Sequence, residues 1–157
     1  MTRITALPTK ITRHLQNGGQ DAHGQPPERA ISNGHGTPCR HCLQHIPKGA
    51  EMLILAHRPF AEAQPYAETG PIFLCADHCM RHDSTELPEV LTTSPDYLIK
   101  GYGADDRIVY GTGIVIPQPE MMQQAKTILT DERVAYVHIR SARNNCYQAR
   151  IDRDEPG

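Results

Sequence analysis

Cys39-Arg40-His41-Cys42 and Cys75-Ala76-Asp77-His78-Cys79 each place two thiols close together, and these stretches decide the kind of fold that the chain is expected to adopt. Two cysteines separated by two or three residues can bind one metal ion, and two such pairs supply four thiolates. A closed tetrahedral site of this kind contributes to folding and leaves no coordination position for a substrate. The sequence therefore predicts a structural Zn²⁺ ion bound by Cys39, Cys42, Cys75 and Cys79.

The spacing of the pairs leaves the ligand set open. The 32 residues between Cys42 and Cys75 exceed the usual spacing of a zinc ribbon, and the second pair has three intervening residues. His78 could therefore replace Cys75 or Cys79, because imidazole also binds zinc. An open site with three protein ligands and a water would instead be catalytic, with a carboxylate such as Glu68 as its base.

The remaining cysteine, Cys146, makes the total odd, which argues against a disulfide framework. The N-terminus lacks the continuous apolar core of a signal peptide, and no segment approaches the roughly 20 apolar residues of a membrane span. We therefore expect a cytoplasmic protein with no membrane association, whose thiols stay reduced.

Length and composition predict one domain over residues 1–157, with a turn-rich loop at 18–38 that contains several Gly, Pro and Asn residues. The hydrophobic fraction of 38% includes no Trp and only two Phe, so a bound metal would add usefully to a modest core. The formal net charge of -2 gives no broad basic field, which disfavours nucleic acid as a partner.

Apolar periodicity predicts both strands and helices. A helix capped by Thr9 should end near Gly18, and a second helix should bury one stripe formed by Met121, Ala125, Ile128 and Leu129. The predicted strands cover residues 4–7, 52–56, 71–74, 98–102, 107–116, 135–140 and 146–153. These elements indicate a single α+β domain: an antiparallel sheet with a C-terminal β-hairpin, one or two covering helices and a Cys-rich loop region stapled by zinc.

The predicted C-terminal hairpin has one apolar and one polar face. A three-residue loop at 143–145 would pair Ile139 with Ala149 and Val137 with Ile151, which keeps the apolar side chains together. The polar face would then present Tyr136, His138, Arg140, Cys146, Gln148, Arg150 and Asp152, with Arg143 at the tip.

This polar face suggests two kinds of function beside that of an ordinary solvated surface. Arg140, Arg143, Asn144 and Arg150 could recognise an acidic small molecule or a protein partner, because guanidinium groups bind carboxylate and phosphate through two parallel hydrogen bonds. Alternatively, Cys146 beside His138 could be the nucleophile of a cysteine enzyme. The residues identify no substrate, and they do not decide whether the protein is an enzyme.

Three blocks in this order resemble the bacterial domain of unknown function 1203 family: Pro38-Cys39-Arg40-His41-Cys42-Leu43, Glu68-Thr69-Gly70-Pro71-Ile72-Phe73 and Arg140-Ser141-Ala142-Arg143-Asn144-Asn145-Cys146-Tyr147. The resemblance covers most of the chain. It implies a family without an assigned activity, so the functional predictions rest on the residues themselves.

Overall fold

Two antiparallel sheets and two α-helices form over residues 2–154, the part of the chain that the computed structural model describes. The elements are β1 (Thr2–Thr5), α1 (Thr9–Gln16), β2 (Glu28–Ile31), β3 (Glu51–His57), β4 (Gly70–Cys75), β5 (Asp96–Tyr102), β6 (Ile114–Pro117), α2 (Met121–Ile128), β7 (Tyr136–Ser141) and β8 (Tyr147–Arg153). The predicted α+β class, with its C-terminal hairpin, is confirmed.

The larger sheet has the strand order β1-β8-β7-β5-β6, and α2 covers its apolar face. The predicted pairs form, since Val137 lies opposite Ile151 and Ile139 opposite Ala149. The predicted stripe of α2 is buried against the same core. Alternation with a period of two in the hairpin and of about 3.6 in α2 therefore places these apolar side chains in one layer.

The turn between β7 and β8 differs from the predicted three-residue loop. A β-bulge shifts the register after Ile139, so that Arg140 pairs with Tyr147. The amide of Ser141 donates to the carbonyl of Cys146 at 2.9 Å, which leaves a four-residue loop at 142–145. The extra residue brings Tyr147, in place of Gln148, opposite Arg140 on the polar face.

The smaller sheet has the order β2-β3-β4 and packs against α1. Strand β2 lies inside the stretch that was predicted as a turn-rich loop, where it is a mostly exposed edge strand paired with β3. The N-cap of α1 is Pro8, so the prediction that Thr9 caps this helix is wrong. The Thr9 hydroxyl is instead hydrogen-bonded to His41.

The long strand predicted at 107–116 is only partly formed. Ile108 makes a single bridge to Tyr102, and regular pairing resumes at β6. Between them, the Thr112 hydroxyl accepts the hydrogen bond of the Gly101 amide at 2.9 Å. A side chain thus replaces a ladder hydrogen bond, and the chain turns at Gly111, whose φ of 95° suits glycine.

Candidate functional site

Four cysteines from separate parts of the smaller sheet region form one cluster. Cys39 and Cys42 lie in a tight turn that Leu43 closes with a φ of 56°, Cys75 ends β4, and Cys79 follows one turn later. The four Sγ atoms all lie within 4.8 Å of one another, so the cluster could hold a metal ion. His78 is exposed and is not a member of the cluster.

The sulfur distances fit ligands of a common ion rather than disulfide partners. Cys39 Sγ lies 3.9 Å from Cys79 Sγ, and Cys42 Sγ lies 3.9 Å from Cys75 Sγ. A disulfide would require about 2.0 Å. Cys39 is fully buried, and its sulfur accepts the backbone N–H of Cys75 at 3.3 Å. Hydrogen bonds from the thiols of Cys42, Cys75 and Cys79 lower the pKa of Cys39, so negative charge is favoured first at this sulfur.

His41 links the cysteine cluster to α1. Its Nδ1 lies 3.1 Å from Cys79 Sγ, and its Nε2 lies 2.8 Å from the Thr9 hydroxyl. Burial lowers the pKa of His41, which favours the neutral imidazole. With its proton on Nδ1, the ring donates to the sulfur and accepts from Thr9, so α1 orients a side chain that contacts a candidate ligand. The sequence alone gave His41 no role.

We expect His41→Phe to weaken metal binding by about 10-fold to 100-fold, because the substitution removes a hydrogen bond to a ligand sulfur while filling the space. Competition with a chromophoric chelator measures this affinity. The matched control is His78→Phe, which changes an exposed histidine beside Cys79. Equal affinities for the two variants would show that the His41 contact does not support the metal.

Two adjoining chambers form a cleft on the polar face of the larger sheet, the face that α2 does not cover. The apolar chamber has a volume of about 350 Å³, and its walls include Leu7, Pro8, Ile11, Phe60 and Ala61. The polar chamber has a volume of about 200 Å³, and its walls include Glu68, Arg140, Asn144, Asn145 and Cys146. His57, Pro59 and Tyr147 line both chambers, so the two spaces share a wall.

Arg140 is the central cation of the polar chamber, although it is only 4% exposed. Its Nη1 donates to the carbonyl of Asn145 at 3.2 Å and lies 3.3 Å from Glu68 Oε2. Its Nε and Nη2 are buried and make no hydrogen bond of normal geometry among the described residues, and the buried Tyr102 hydroxyl, which also lacks such a bond, lies close to the same guanidinium. Burial alone would raise the pKa of Glu68, but Lys100 and Arg140 bring it below the usual value, so the carboxylate is charged.

His138 lines the apolar chamber and lies among four aromatic rings. It is 1% exposed, and its Nδ1 has no partner among residues 2–154. Its ring centroid lies 4.6 to 5.1 Å from those of Phe60, Tyr102, Tyr136 and Tyr147. Burial, and then the charges of nearby cations, lower the pKa of His138. The same causes lower the pKa of His57 to about 4, so both imidazoles are neutral at pH 7.

The charged groups around the cleft are mostly cations. Among the described residues, the charged side chains that line it are Arg58, Arg140 and Arg150, against Glu68 and Asp152, and Lys100 adds a further cation through its contact with Glu68. An excess of positive charge next to unpaired donors is an environment that favours an anion.

The predicted recognition residues divide into two groups. Arg140, Asn144 and Arg150 line the cleft, whereas Arg143 is 62% exposed and forms an ion pair with Asp96. Cys146 lies in the polar chamber and donates to the Asn144 carbonyl at 3.8 Å.

His57 and Tyr147 contribute to the site, but the sequence did not single them out. His57 ends a strand that was recognisable only as an apolar run, and the bulge that turns Tyr147 into the cleft leaves no signal in the alternation of residues. The sequence therefore predicted the residues that the C-terminal hairpin contributes to the cleft better than those that other segments contribute.

The fold and the site together define a small α+β domain with a four-cysteine cluster and a cationic cleft. The model of the family described as Protein of unknown function (DUF1203) matches residues 36–153, a span that contains all four clustered cysteines, and the chain belongs to this family. Searches of curated proteins and of solved structures gave no match. No helix within residues 2–154 combines the length and the apolar character needed to cross a membrane.

Proposed function

We propose that the protein is a zinc-stapled binding domain that takes a small anionic molecule into the cleft, with the anion at Arg140. For the metal, four sulfur ligands at a Zn–S distance of about 2.3 Å lie about 3.8 Å apart in a regular tetrahedron. The two sulfur distances of 3.9 Å agree with that geometry. Tetrahedral thiolate sites select zinc or iron, and a zinc ion fits a purely structural role.

The buried guanidinium of Arg140 is the observation that carries the binding proposal. A buried charged donor without a partner is costly, and its cost falls when an anion accepts its hydrogen bonds. Nε and Nη2 form one edge of the guanidinium, so two oxygens of a carboxylate or phosphate can accept from both. Glu68 does not satisfy this edge, because its contact is with Nη1.

Binding is better supported than catalysis. A closed set of four sulfur ligands would leave no coordination position for a reacting water. No hydrogen bond joins Cys146 to His138 within the described residues, and the two side chains line different chambers. A thiol nucleophile paired with a histidine base would require that contact.

Arg140→Gln should weaken the binding of inorganic phosphate and of acetate at least tenfold, because it removes hydrogen bonds from a charged donor. Titration of either anion, followed by amide chemical shifts of residues 140–147, measures the change. Arg143→Gln is the matched control, since it removes the same charge from the exposed tip of the same hairpin. Equal losses in the two variants, or no saturable binding by the wild type, would contradict the proposal.

A further inference from the structure

We infer that the ligand is an amphipathic carboxylate, with its head group at Arg140 and an apolar body in the apolar chamber; this inference rests on the proposed function. The two chambers adjoin, because His57, Pro59 and Tyr147 line both. A molecule bound at Arg140 that is longer than its head group would reach the apolar chamber by passing these three residues.

The apolar chamber matches a hydrocarbon body. Its lining includes the apolar side chains of Leu7, Pro8, Ile11 and Phe60. Ile11 is an exposed large apolar residue of α1, and it is one of the residues that line this space. Burial of apolar surface would supply affinity here, and the volume of about 350 Å³ lies at the small end of the range for ligand pockets.

The charged groups of the apolar chamber already make hydrogen bonds within the protein. Arg150 Nε donates to Asp152 Oδ1 at 2.8 Å, and the Thr5 hydroxyl donates to Asp152 Oδ2 at 2.7 Å. Arg58 donates to the carbonyls of Phe60 and Ala61 at 3.2 and 3.1 Å. A second anionic group in this chamber would have to compete with these partners, whereas an apolar body leaves them intact.

The head group is best matched by a carboxylate. Nε and Nη2 of Arg140 can donate in parallel to two oxygens of a carboxylate or of a phosphate. The charged carboxylate of Glu68, 3.3 Å from Nη1 of the same guanidinium, favours the singly charged carboxylate over a doubly charged phosphate. The polar chamber, at about 200 Å³, holds a head group and little more. The arrangement therefore favours a single carboxylate on a medium-length chain or an aromatic ring.

A homologous series of acetate, butyrate, hexanoate and octanoate tests the inference by calorimetry or by amide chemical shifts. Each added CH₂ that enters the apolar chamber should raise the affinity by about twofold to fourfold. Arg140→Gln should weaken the binding of every member of the series. Ala61→Phe, which fills the apolar chamber, should weaken octanoate binding at least tenfold more than acetate binding. The control Ala63→Phe adds the same ring at an exposed position of the same loop.

The possible failures are distinguishable. Acetate that binds through Arg140, without a gain in affinity along the series or without a selective effect of Ala61→Phe, would overturn the inference and leave the proposed function standing. Octanoate that binds equally well to wild type and to Arg140→Gln would overturn the placement of the head group. Absence of Arg140-dependent binding for every member would overturn the proposed function as well.

Discussion

Replacing Cys39 with serine should release the metal and leave the domain largely unfolded at 25 °C. Cys39 is fully buried in the core that α1 shares with the smaller sheet, and its sulfur accepts backbone hydrogen bonds. Structural zinc binding contributes about 10–16 kcal/mol in small zinc domains, whereas the net stability of a domain is about 5–15 kcal/mol. Serine is a poor zinc ligand, so its introduction should remove a large part of that contribution.

Elemental mass spectrometry and circular dichroism measure the two consequences of this change. Cys146→Ser is the matched control, because Cys146 is a free thiol outside the cluster, and this variant should keep one zinc per chain and the wild-type melting temperature. A strong chelator added to wild-type protein should reproduce the unfolding. A Cys39→Ser variant that is metal-free and as stable as wild type would refute the structural role of the cluster.

Arg40→Ala should lower the free energy of unfolding by about 3 kcal/mol even with the metal bound. Arg40 lies between two cysteines of the cluster, but its side chain points into the interior and is 3% exposed. Its Nε donates to the Tyr147 carbonyl at 2.8 Å, and its Nη1 donates to the Pro38 carbonyl at 2.7 Å. Burial lowers its pKa to about 10, so the group is still charged at pH 7.

The expected loss of about 3 kcal/mol in the free energy of unfolding is the difference between opposing effects. Each hydrogen bond from a charged donor contributes about 1.5–3 kcal/mol, and truncation leaves both carbonyls without this donor and creates a cavity. Removal of a buried cation without a carboxylate partner offsets part of this loss.

Urea unfolding of metal-saturated protein measures the change, and amide exchange should increase in β8. Arg29→Ala is the control, since the half-exposed Arg29–Glu51 pair should contribute no more than about 1 kcal/mol. Equal effects of the two substitutions would show that the buried link between the cluster and β8 does not stabilise the fold.

Local patterns in the sequence predicted much of the fold. The pairs Ile139–Ala149 and Val137–Ile151 follow from alternation, and the buried stripe from Met121 to Ile128 follows from helical periodicity. The four-cysteine cluster follows from two short spacings that each bring a pair of sulfurs together. In each case, the decisive information lies within a few neighbouring residues.

The cleft was less predictable because it depends on contacts between distant segments. His57 ends β3, whereas His138 and Tyr147 belong to the C-terminal hairpin, and no periodicity indicates that these segments meet. The bulge near Arg140 is a local departure from the pattern that set the register. The contacts of His41 with Thr9 and of Arg40 with Tyr147 likewise join residues that are far apart in sequence.

The position of the cysteine pairs also has a consequence for the path of folding. Both β3 and β4 lie within the segment that runs from Cys42 to Cys75. An ion that binds both pairs early would join the ends of this segment before its strands pair, and part of the loop-closure entropy would already have been lost. The pairs at the Met52–Cys75 end of this ladder, which are the farthest apart in sequence, would then form between segments that the ion already holds together, and such contacts form faster than distant ones. Metal supply during synthesis would thus influence the rate at which the chain folds.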